Sequence, residues 1–352
     1  MEELKFEGTW TALVTPFTER GKVDWEGLER NIEFQVSQGI CGLVPTGTTG
    51  ESPTLGWEEH NRIIEKVIKS AGKRCPVMAG TGSNSTKEAL AGTEHALKAG
   101  AAAVLLVDCY YNGPSSLELR KEYHGTVAKA FPEIMVVPYI IPGRTGTALS
   151  AEDLALLFRE FSNVKAVKEA TGDPERMIRT RQLVGNDFAI LSGDDEFTFE
   201  MMARPGIRAA GVVSVMSNVV PKAIQEMTEK IISGDLMGAG NLRDALKPLF
   251  DIVTVKAKDE RIFPKGEKIS VEDKFRNPLP LKTLMNGLGI PSGPCRRPLG
   301  RMSWGGVDKV RRAARTVWKN NPEILKPIEE AYGVKIEERL EKNEPWDKLA
   351  YS

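Results

Sequence analysis

Histidine and cysteine are scarce in this sequence, and long apolar runs are missing. The 352 residues include only three histidines and four cysteines. Cys41, Cys75, Cys109 and Cys295 are too far apart for CxxC pairs or a Cys/His cluster, so we expect free buried thiols and no metal ion. The segment Met1–Trp10 lacks the apolar core of a signal peptide, and no run of about eighteen apolar residues occurs. We therefore expect a cytoplasmic protein without membrane spans.

A net charge is also absent, because Lys plus Arg and Asp plus Glu both number 48. Proteins that bind nucleic acid or an anionic membrane through their overall charge need an excess of basic residues. We expect neither partner, and a small-molecule ligand is favoured.

Glycine-rich nucleotide-binding fingerprints are missing as well. An open doubly wound sheet would carry such a fingerprint after its first strand, where this chain has Thr15-Pro16-Phe17. The segment 80–85 lacks the third glycine of that motif, and no GxxxxGK[ST] occurs. The doubly wound alternative and nucleotide binding are therefore disfavoured.

Between residue 11 and about residue 215, short β-branched runs alternate with longer amphipathic segments, as in parallel βα units. The predicted strands are Thr11–Thr15, Gly42–Thr46, Val77–Gly80, Ala103–Asp108, Met135–Ile140, Val164–Lys168, Ala189–Ser192 and Ala209–Val213. The predicted outer helices are Trp25–Gln38, Trp57–Ala71, Thr86–Lys98 and Ala151–Glu160. Eight such strands predict an α/β fold, a closed (β/α)₈ TIM barrel over residues 1–225.

Residues 226–352 are predicted to form a C-terminal helical extension that begins just after the barrel. Helices are expected at Lys222–Ser233, Met237–Val255, Gly306–Asn320 and Pro322–Ala331, followed by a charged tail. The charged stretch 256–276 is interpreted as a loop insertion. One helix carries Lys309, Arg311, Arg312, Arg315 and Lys319, which could bind an acidic partner. A solvated face opposite its apolar residues is favoured.

In a barrel of this kind the reacting groups lie at the C-terminal ends of the strands. The candidate Lys168 closes the run Val164–Lys168, in which alternation places Val164, Ala166 and Lys168 on one inward face. Burial lowers the pKa of a lysine and yields the neutral amine that a Schiff base requires. The alternative is a strand-end lysine that reaches solvent or pairs with Glu169, and position alone favours neither.

Imine chemistry also needs a proton donor, and all three histidines, His60, His95 and His124, fall on predicted helices. Tyr139, at the end of the neighbouring strand, is therefore considered, although it could equally be a packed aromatic residue. Arg144 could bind a substrate carboxylate or form a surface ion pair.

Ordered motifs over roughly residues 7–300 resemble the dihydrodipicolinate synthase / N-acetylneuraminate lyase superfamily. The motifs are Gly47-Thr48-Thr49-Gly50-Glu51-Ser52, Tyr110-Tyr111-Asn112, Tyr139-x-x-Pro142-x-Arg144-Thr145-Gly146, Val167-Lys168-Glu169-Ala170-Thr171-Gly172, Ser192-Gly193-Asp194 and Asn277-Pro278-x-Pro280. The resemblance implies a class I aldolase, a lyase without metal or organic cofactor. Lys168 would form the imine with pyruvate, and Tyr139 would transfer protons.

The same resemblance implies further site residues. Thr48 and Thr49 would bind the pyruvate carboxylate, and Gly193 and Val213 would also contact substrate. Thr49 would link Tyr139 to a second tyrosine from a neighbouring subunit. Tyr111 matches that tyrosine, which implies a homo-oligomer, a homotetramer built as a dimer of dimers.

An arginine at position 144 is similar to the synthase branch of the superfamily, in which arginine binds the carboxylate of L-aspartate 4-semialdehyde. The implied reaction condenses this aldehyde with pyruvate to 4-hydroxy-tetrahydrodipicolinate, in the diaminopimelate route of lysine biosynthesis. Ile140 and Cys109 depart from the asparagine and proline that are usual in the synthases. The alternatives are an aldolase or dehydratase for a 2-oxo-3-deoxy sugar acid, and a non-catalytic ligand-binding protein.

A lysine-binding allosteric site is also implied, because the residues that form it in lysine-inhibited synthases have counterparts here. The matching positions are Trp57, His60, Asn84, Glu88 and Tyr110. Trp57 could equally be an interface anchor, and Glu88 an exposed helix carboxylate.

Overall fold

The computed structural model describes residues 4–351, so Ser352 and the first three residues of Met1–Trp10 lie outside the described residues. Eight parallel strands form a barrel with the order β2-β1-β8-β7-β6-β5-β4-β3, closed by a bridge between Leu43 and Val77. The strands are β1 (Gly8–Ala12), β2 (Gly42–Val44), β3 (Met78–Gly80), β4 (Ala103–Val107), β5 (Met135–Ile140), β6 (Ala166–Glu169), β7 (Ala189–Ser192) and β8 (Gly211–Ser214). The predicted (β/α)₈ barrel is confirmed, although several strand ends differ.

Helices connect the barrel strands and follow the last of them, and four of these helices match the predicted outer helices to within one residue. They are α1 (Trp25–Ser37), α2 (Trp57–Ala71), α3 (Thr86–Ala99), α4 (Ser116–Glu118), α5 (Gly125–Ala130), α6 (Pro142–Thr145), α7 (Ala151–Glu160), α8 (Pro174–Val184), α9 (Thr198–Ala203), α10 (Pro221–Ile232) and α11 (Leu236–Phe250). A π-helical stretch, Leu119–His124, joins α4 to α5. Local sequence fixes several helix starts. Ser150 accepts a hydrogen bond from Asp153 N at α7, and Asp173 caps α8 ahead of Pro174.

The core has two layers, one inside the barrel and one between strands and helices. The barrel interior contains Phe6, Trp10, Ala12, Val44, Met78, Ala103, Leu105, Val137, Tyr139, Ala166, Leu191 and Val213. Val164 belongs to the outer layer, so its predicted inward position is wrong. Strand β6 begins only at Ala166, and the alternation therefore does not extend back to residue 164.

The charged stretch 256–276 is not a loop, which corrects the prediction. It lies within an antiparallel hairpin of β9 (Thr254–Ile262) and β10 (Lys268–Arg276). The hairpin forms because Val255 and Ala257 alternate with charged residues and are buried, while Gly266 adopts a positive φ of 88° in the turn.

The C-terminal region adds α12 (Leu279–Leu288), α13 (Trp304–Asn320), α14 (Lys326–Tyr332), α15 (Ile336–Glu341) and α16 (Glu344–Asp347). The predicted charged tail is thus partly helical, and it packs through the fully buried Trp346. The solvated face predicted for α13 is wrong at Arg311, which is buried and donates to the carbonyl oxygens of Leu340, Glu341 and Lys342. Because these charge-assisted bonds satisfy backbone acceptors, they hold the tail against α13.

The boundary between residues 225 and 226 stays a prediction. Across residues 4–351, no helix has both the length and the apolar character needed to span a membrane.

Candidate active site

Lys168 and Tyr139 face each other at the C-terminal ends of two neighbouring strands. They are register partners in the β5–β6 pair. The ammonium nitrogen of Lys168 lies 4.1 Å from the centroid of the Tyr139 ring. Both side chains are only 5% exposed, so the lysine does not reach solvent as its alternative interpretation required. The contact places a potential nucleophile beside a potential proton donor.

The surroundings of Lys168 favour its neutral form. Burial lowers the pKa of Lys168 to about 7, the negative charge of Asp195 opposes this effect, and the positive charge of Arg144 adds to it. A large fraction of the amine is therefore unprotonated near neutral pH. A neutral amine in an enclosed site can attack a carbonyl carbon and form an imine.

Asp195 is a charged residue beside Lys168 that was not predicted from the sequence to belong to the site. Its carboxylate accepts hydrogen bonds from Ser214 Oγ and from the backbone N–H groups of Val215 and Met216. Burial raises the pKa of Asp195 to about 6 despite these bonds. Asp194, which belongs to the recognised motif, directly precedes it, and nothing in the sequence distinguishes the two aspartates.

The phenol of Tyr139 remains protonated over the whole neutral range. Burial raises its pKa to about 12, while the charge of Arg144 and a hydrogen bond with Thr48 act in the opposite direction. None of the three histidines lines either cavity of the site within residues 4–351. Tyr139 therefore has the position and the protonation state of a general acid.

Asn277 connects the threonine turn to Arg144. Its side-chain Nδ2 donates to Thr49 Oγ1 at 2.9 Å, and its carbonyl oxygen accepts from Arg144 Nη2 at 2.8 Å. Because a hydroxyl has a single hydrogen, a Thr49 oxygen that accepts from Asn277 can direct its own hydrogen toward another group. The sequence pointed to the Asn277-Pro278 motif but gave this residue no role.

A buried ion pair supports the same turn from behind. Lys282 Nζ and Glu51 Oε1 are 2.7 Å apart, and both side chains are 1% exposed. Lys282 also donates to the carbonyl oxygens of Thr15 and Pro294, and the second Glu51 oxygen accepts from Arg296 N. These bonds satisfy both buried charges and fix Glu51, whose φ is 59°. In the sequence, the only indication of this ion pair is that Lys282 interrupts a mostly apolar segment.

Two adjoining cavities open at this end of the barrel, of about 210 and 270 Å³. They share Thr48, Tyr139, Ile141 and Arg144. The larger cavity, which we call the lysine cavity, also contains Thr49, Lys168, Gly193 and Asn277. The structure thus brings most of the predicted site residues together around one space.

Gly193 is needed where it lies, because a Cβ atom there would be 2.7 Å from Ala170 Cβ and 3.1 Å from Lys168 Cε. Val213 is buried in the barrel interior, and Val215 rather than Val213 lines the lysine cavity. Contact between Val213 and substrate therefore stays a prediction.

Comparison with known proteins agrees with the resemblance noted in the sequence. The model of the dihydrodipicolinate synthetase family matches residues 5–316. A 4-hydroxy-tetrahydrodipicolinate synthase of Bartonella bacilliformis is 44% identical over 283 residues, which cover 78% of this chain and 93% of that protein. The chain belongs to the dihydrodipicolinate synthetase family.

Solved structures of this family have the same fold. The dihydrodipicolinate synthase of Aquifex aeolicus shares 37% identity with a TM-score of 0.80, covering 91% of this chain and 100% of that one. The synthase of Cyanidioschyzon merolae, solved with lysine bound, shares 33% identity with a TM-score of 0.79, covering 89% and 98%.

One motif residue of the family, Tyr111, lies away from the cavities of its own chain. Its side chain is 93% exposed, and its φ of 92° is unusual for a residue other than glycine. The neighbouring Tyr110 lines the smaller of the two cavities. Tyr111 is therefore free to contact a second molecule.

The five positions matched to a family lysine site are only partly assembled. Asn84 Oδ1 accepts from Tyr110 N at 2.7 Å, and both residues line a further cavity of about 320 Å³. Glu88 accepts from Ser83 Oγ. His60 is 2% exposed and packs against Trp57 with ring centroids 4.9 Å apart.

The cysteines are free, as expected, although only Cys75 is buried and the other three are partly buried. Across residues 4–351, no group of three or more His, Cys, Asp or Glu side chains could hold a metal ion.

Proposed function

We propose that this chain is a 4-hydroxy-tetrahydrodipicolinate synthase, a lyase that condenses pyruvate with L-aspartate 4-semialdehyde in lysine biosynthesis. The observation that carries the proposal is an enclosed lysine with a pKa of about 7 against a protonated tyrosine. Membership of the dihydrodipicolinate synthetase family and the names of the relatives support the same reaction.

The neutral Lys168 amine attacks the keto carbon of pyruvate, and water leaves after proton transfer to the former carbonyl oxygen. Tyr139 is proposed to donate that proton, which the 4.1 Å between the centroid of its ring and the lysine nitrogen supports. Loss of a proton from the pyruvate methyl group gives an enamine, whose carbon forms the new bond to the aldehyde carbon while the aldehyde oxygen takes up a proton. The amino group of the aldehyde substrate then displaces Lys168 from the imine carbon, which closes the ring of the product and frees the lysine. Thr48 and Thr49 lie where the pyruvate carboxylate would be held, and Gly193 leaves room for the lysine stem.

The proposal is tested by supplying the purified protein with pyruvate and a panel of aldehydes and sugar acids. Condensation should be selective for L-aspartate 4-semialdehyde. Efficient cleavage or dehydration of a 2-oxo-3-deoxy sugar acid, without this condensation, would instead support the alternative activity. A protein that only bound ligands would form no covalent adduct with pyruvate on borohydride treatment.

Arg144 is proposed to bind the carboxylate of the aldehyde. One of its terminal nitrogens is held by Asn277, and its side chain lines both cavities. Arg144→Lys should raise the KM for the aldehyde by about tenfold or more, because an ammonium group cannot reproduce a bidentate charged contact. Steady-state kinetics should show a much smaller change in the KM for pyruvate. Equal changes for both substrates would contradict this assignment.

Tyr111 is proposed to complete the active site of a neighbouring subunit, in a homo-oligomer such as the family's dimer of dimers. Its exposure supports the proposal. Tyr111→Phe and Lys168→Ala subunits, each inactive alone, should regain part of the activity when mixed, because one site of the hybrid then holds both intact groups. Mass spectrometry would verify hybrid formation. Hybrids without activity would assign Tyr111 to its own subunit or to no catalytic role.

Inhibition by L-lysine stays a prediction for this chain. It is supported by the lysine-bound relative from Cyanidioschyzon merolae and by the adjacent Asn84 and Tyr110 beside a cavity. Glu88 would then pair with the ammonium group of the ligand and Trp57 would cover its aliphatic stem.

A further inference from the structure

The β9–β10 hairpin presents two unlike faces. Val255, Ala257 and Phe275 pack toward the body of the protein, where Phe275 reaches Gly306 of α13. The residues that alternate with them are exposed on the opposite face. Three residues of that face, Thr254, Lys274 and Arg276, line the lysine cavity together with Lys168 and Arg144. The base of the hairpin is therefore part of the active-site wall.

Positive charge is concentrated on this face where it borders the cavity. Lys256 and Lys274 are direct cross-strand partners, and the next pair inward is Thr254 with Arg276. Like charges directly across a strand pair destabilise it, so packing alone does not account for this pair. Within residues 4–351, none of these three cations forms an ion pair of 4.0 Å or less.

Farther from the cavity the charges of the same face are balanced. Lys258 lies opposite Glu272, and Lys268 Nζ is 2.8 Å from Glu260 Oε2. The acidic residues that line the cavity are Asp194 and Asp195, and burial raises the pKa of both. Arg144, Lys274 and Arg276, together with the partly protonated Lys168, face these two carboxyl groups and make this wall favourable for an anion.

The end of the hairpin is also bonded to the short helix α6, which carries Arg144. Arg276 Nη1 donates to the carbonyl oxygen of Gly143 at 2.9 Å, while Arg144 Nη2 donates to the carbonyl oxygen of Asn277 at 2.8 Å. These reciprocal bonds join two adjacent residues of one segment to two adjacent residues of the other. They hold Arg144 and Arg276 side by side at the cavity mouth.

We propose that the hairpin is a substrate-recognition element, in which Lys274 and Arg276 act with Arg144 on the carboxylate of the aldehyde substrate. The inference rests on the proposed condensation and names specificity residues for it. Pyruvate is held deeper, by the threonine turn and Lys168, so its binding depends less on the rim. A rim cation increases the capture of an anionic substrate, and salt screens this effect.

The test compares Lys274→Gln, Arg276→Gln and the double variant with wild type in steady-state kinetics at low and high ionic strength. At low salt each single change should raise the KM for L-aspartate 4-semialdehyde about three- to fivefold, as expected for one partly exposed charge. The double variant should show roughly a tenfold rise that shrinks in high salt. The KM for pyruvate and the borohydride-trapped yield should change by less than about twofold.

Lys258→Gln is the matched control, since it removes the same charge from the same face but away from the cavity. It should leave both KM values unchanged. Lys274→Gln forms the cleaner single variant, because it relieves repulsion with Lys256, whereas Arg276→Gln also removes the bond to Gly143.

If the wild-type protein makes the condensation product, two results would overturn the inference. One is an unchanged KM for the aldehyde in the double variant at low salt, and the other is an equal rise for aldehyde and pyruvate. A wild-type protein that makes no product from L-aspartate 4-semialdehyde would instead overturn the proposed function, and the inference with it.

Discussion

Lys168→Ala should reduce the condensation rate by roughly 10⁴-fold or more, the scale on which enzymes lose activity with a covalent nucleophile. The variant should also form no adduct when pyruvate and borohydride are added. Both effects follow because Lys168 is the buried amine that contacts Tyr139 inside the lysine cavity, whereas Lys274, which also lines that cavity, is exposed on the hairpin. Mass spectrometry of the trapped wild-type protein should place the pyruvate-derived mass on Lys168.

The loss should reflect chemistry rather than unfolding. The pKa of Lys168 is lowered from 10.5 to about 7, so at neutral pH the unfolded chain binds a proton that the folded chain partly releases. Lys168 therefore opposes folding in full below pH 7, and the opposition disappears as the pH rises to 10.5. Its removal relieves this cost, and circular dichroism should show a folded variant.

Lys165→Ala provides the control, because Lys165 precedes the same strand but lies over Phe158 in the outer layer. It should retain activity and trapping. The same pKa predicts that imine formation by wild type slows as the pH falls below about 7. Adduct formation on another lysine, or an active Lys168→Ala protein, would refute the assigned nucleophile.

The barrel and its central lysine could be predicted because their signals are local. Strands β5 and β7 match their predicted bounds, and α2 and α7 do so as well. The pattern of apolar residues within each of these segments is enough to predict it. Lys168 lies next to the C-terminal residue of β6, on the same inward face as Ala166. The rule that barrel chemistry lies at strand C-termini then selected it together with Tyr139 and Arg144.

The hairpin was not predicted because charged residues occupy most of both strands and obscure the alternation of buried and exposed residues. Only the residues near its base are buried, so most of β9 and β10 reads as an exposed polar segment. Lys274 and Arg276 owe their positions to strand pairing with residues earlier in the hairpin. Arg276 is also held by a hydrogen bond to Gly143 of α6, which lies 133 residues earlier in the chain. Contacts over such separations leave no periodic trace in the sequence.

Asn277 and the Glu51–Lys282 pair were missed for a related reason. Lys282 is 231 residues from Glu51, and Asn277 is 228 residues from Thr49. A lysine in an apolar helix or an asparagine before a proline has several structural interpretations, and only the fold selects the partner. The tail behaves similarly, since Trp346 is buried against Gly287, where a Cβ atom would lie 2.3 Å from the indole ring.

Tyr139→Phe should lower kcat by about 10² to 10⁴-fold, the usual contribution of a positioned general acid or base. The phenol keeps its proton near neutral pH because burial raises its pKa to about 12. Phenylalanine preserves the packing beside Lys168 but removes the transferable proton, so imine formation should slow without a comparable rise in the KM for either substrate. Stopped-flow measurement of adduct formation separates these effects.

Tyr332→Phe is the control, because it removes a buried hydroxyl bonded to Asn31 on the far side of the outer core and should cost about 1 kcal/mol of stability with no loss of kcat. A Tyr139→Phe enzyme with kcat within about tenfold of wild type would transfer the acid role to another group, and the hydroxyls of Thr48 and Thr49 in the same cavity would be examined next.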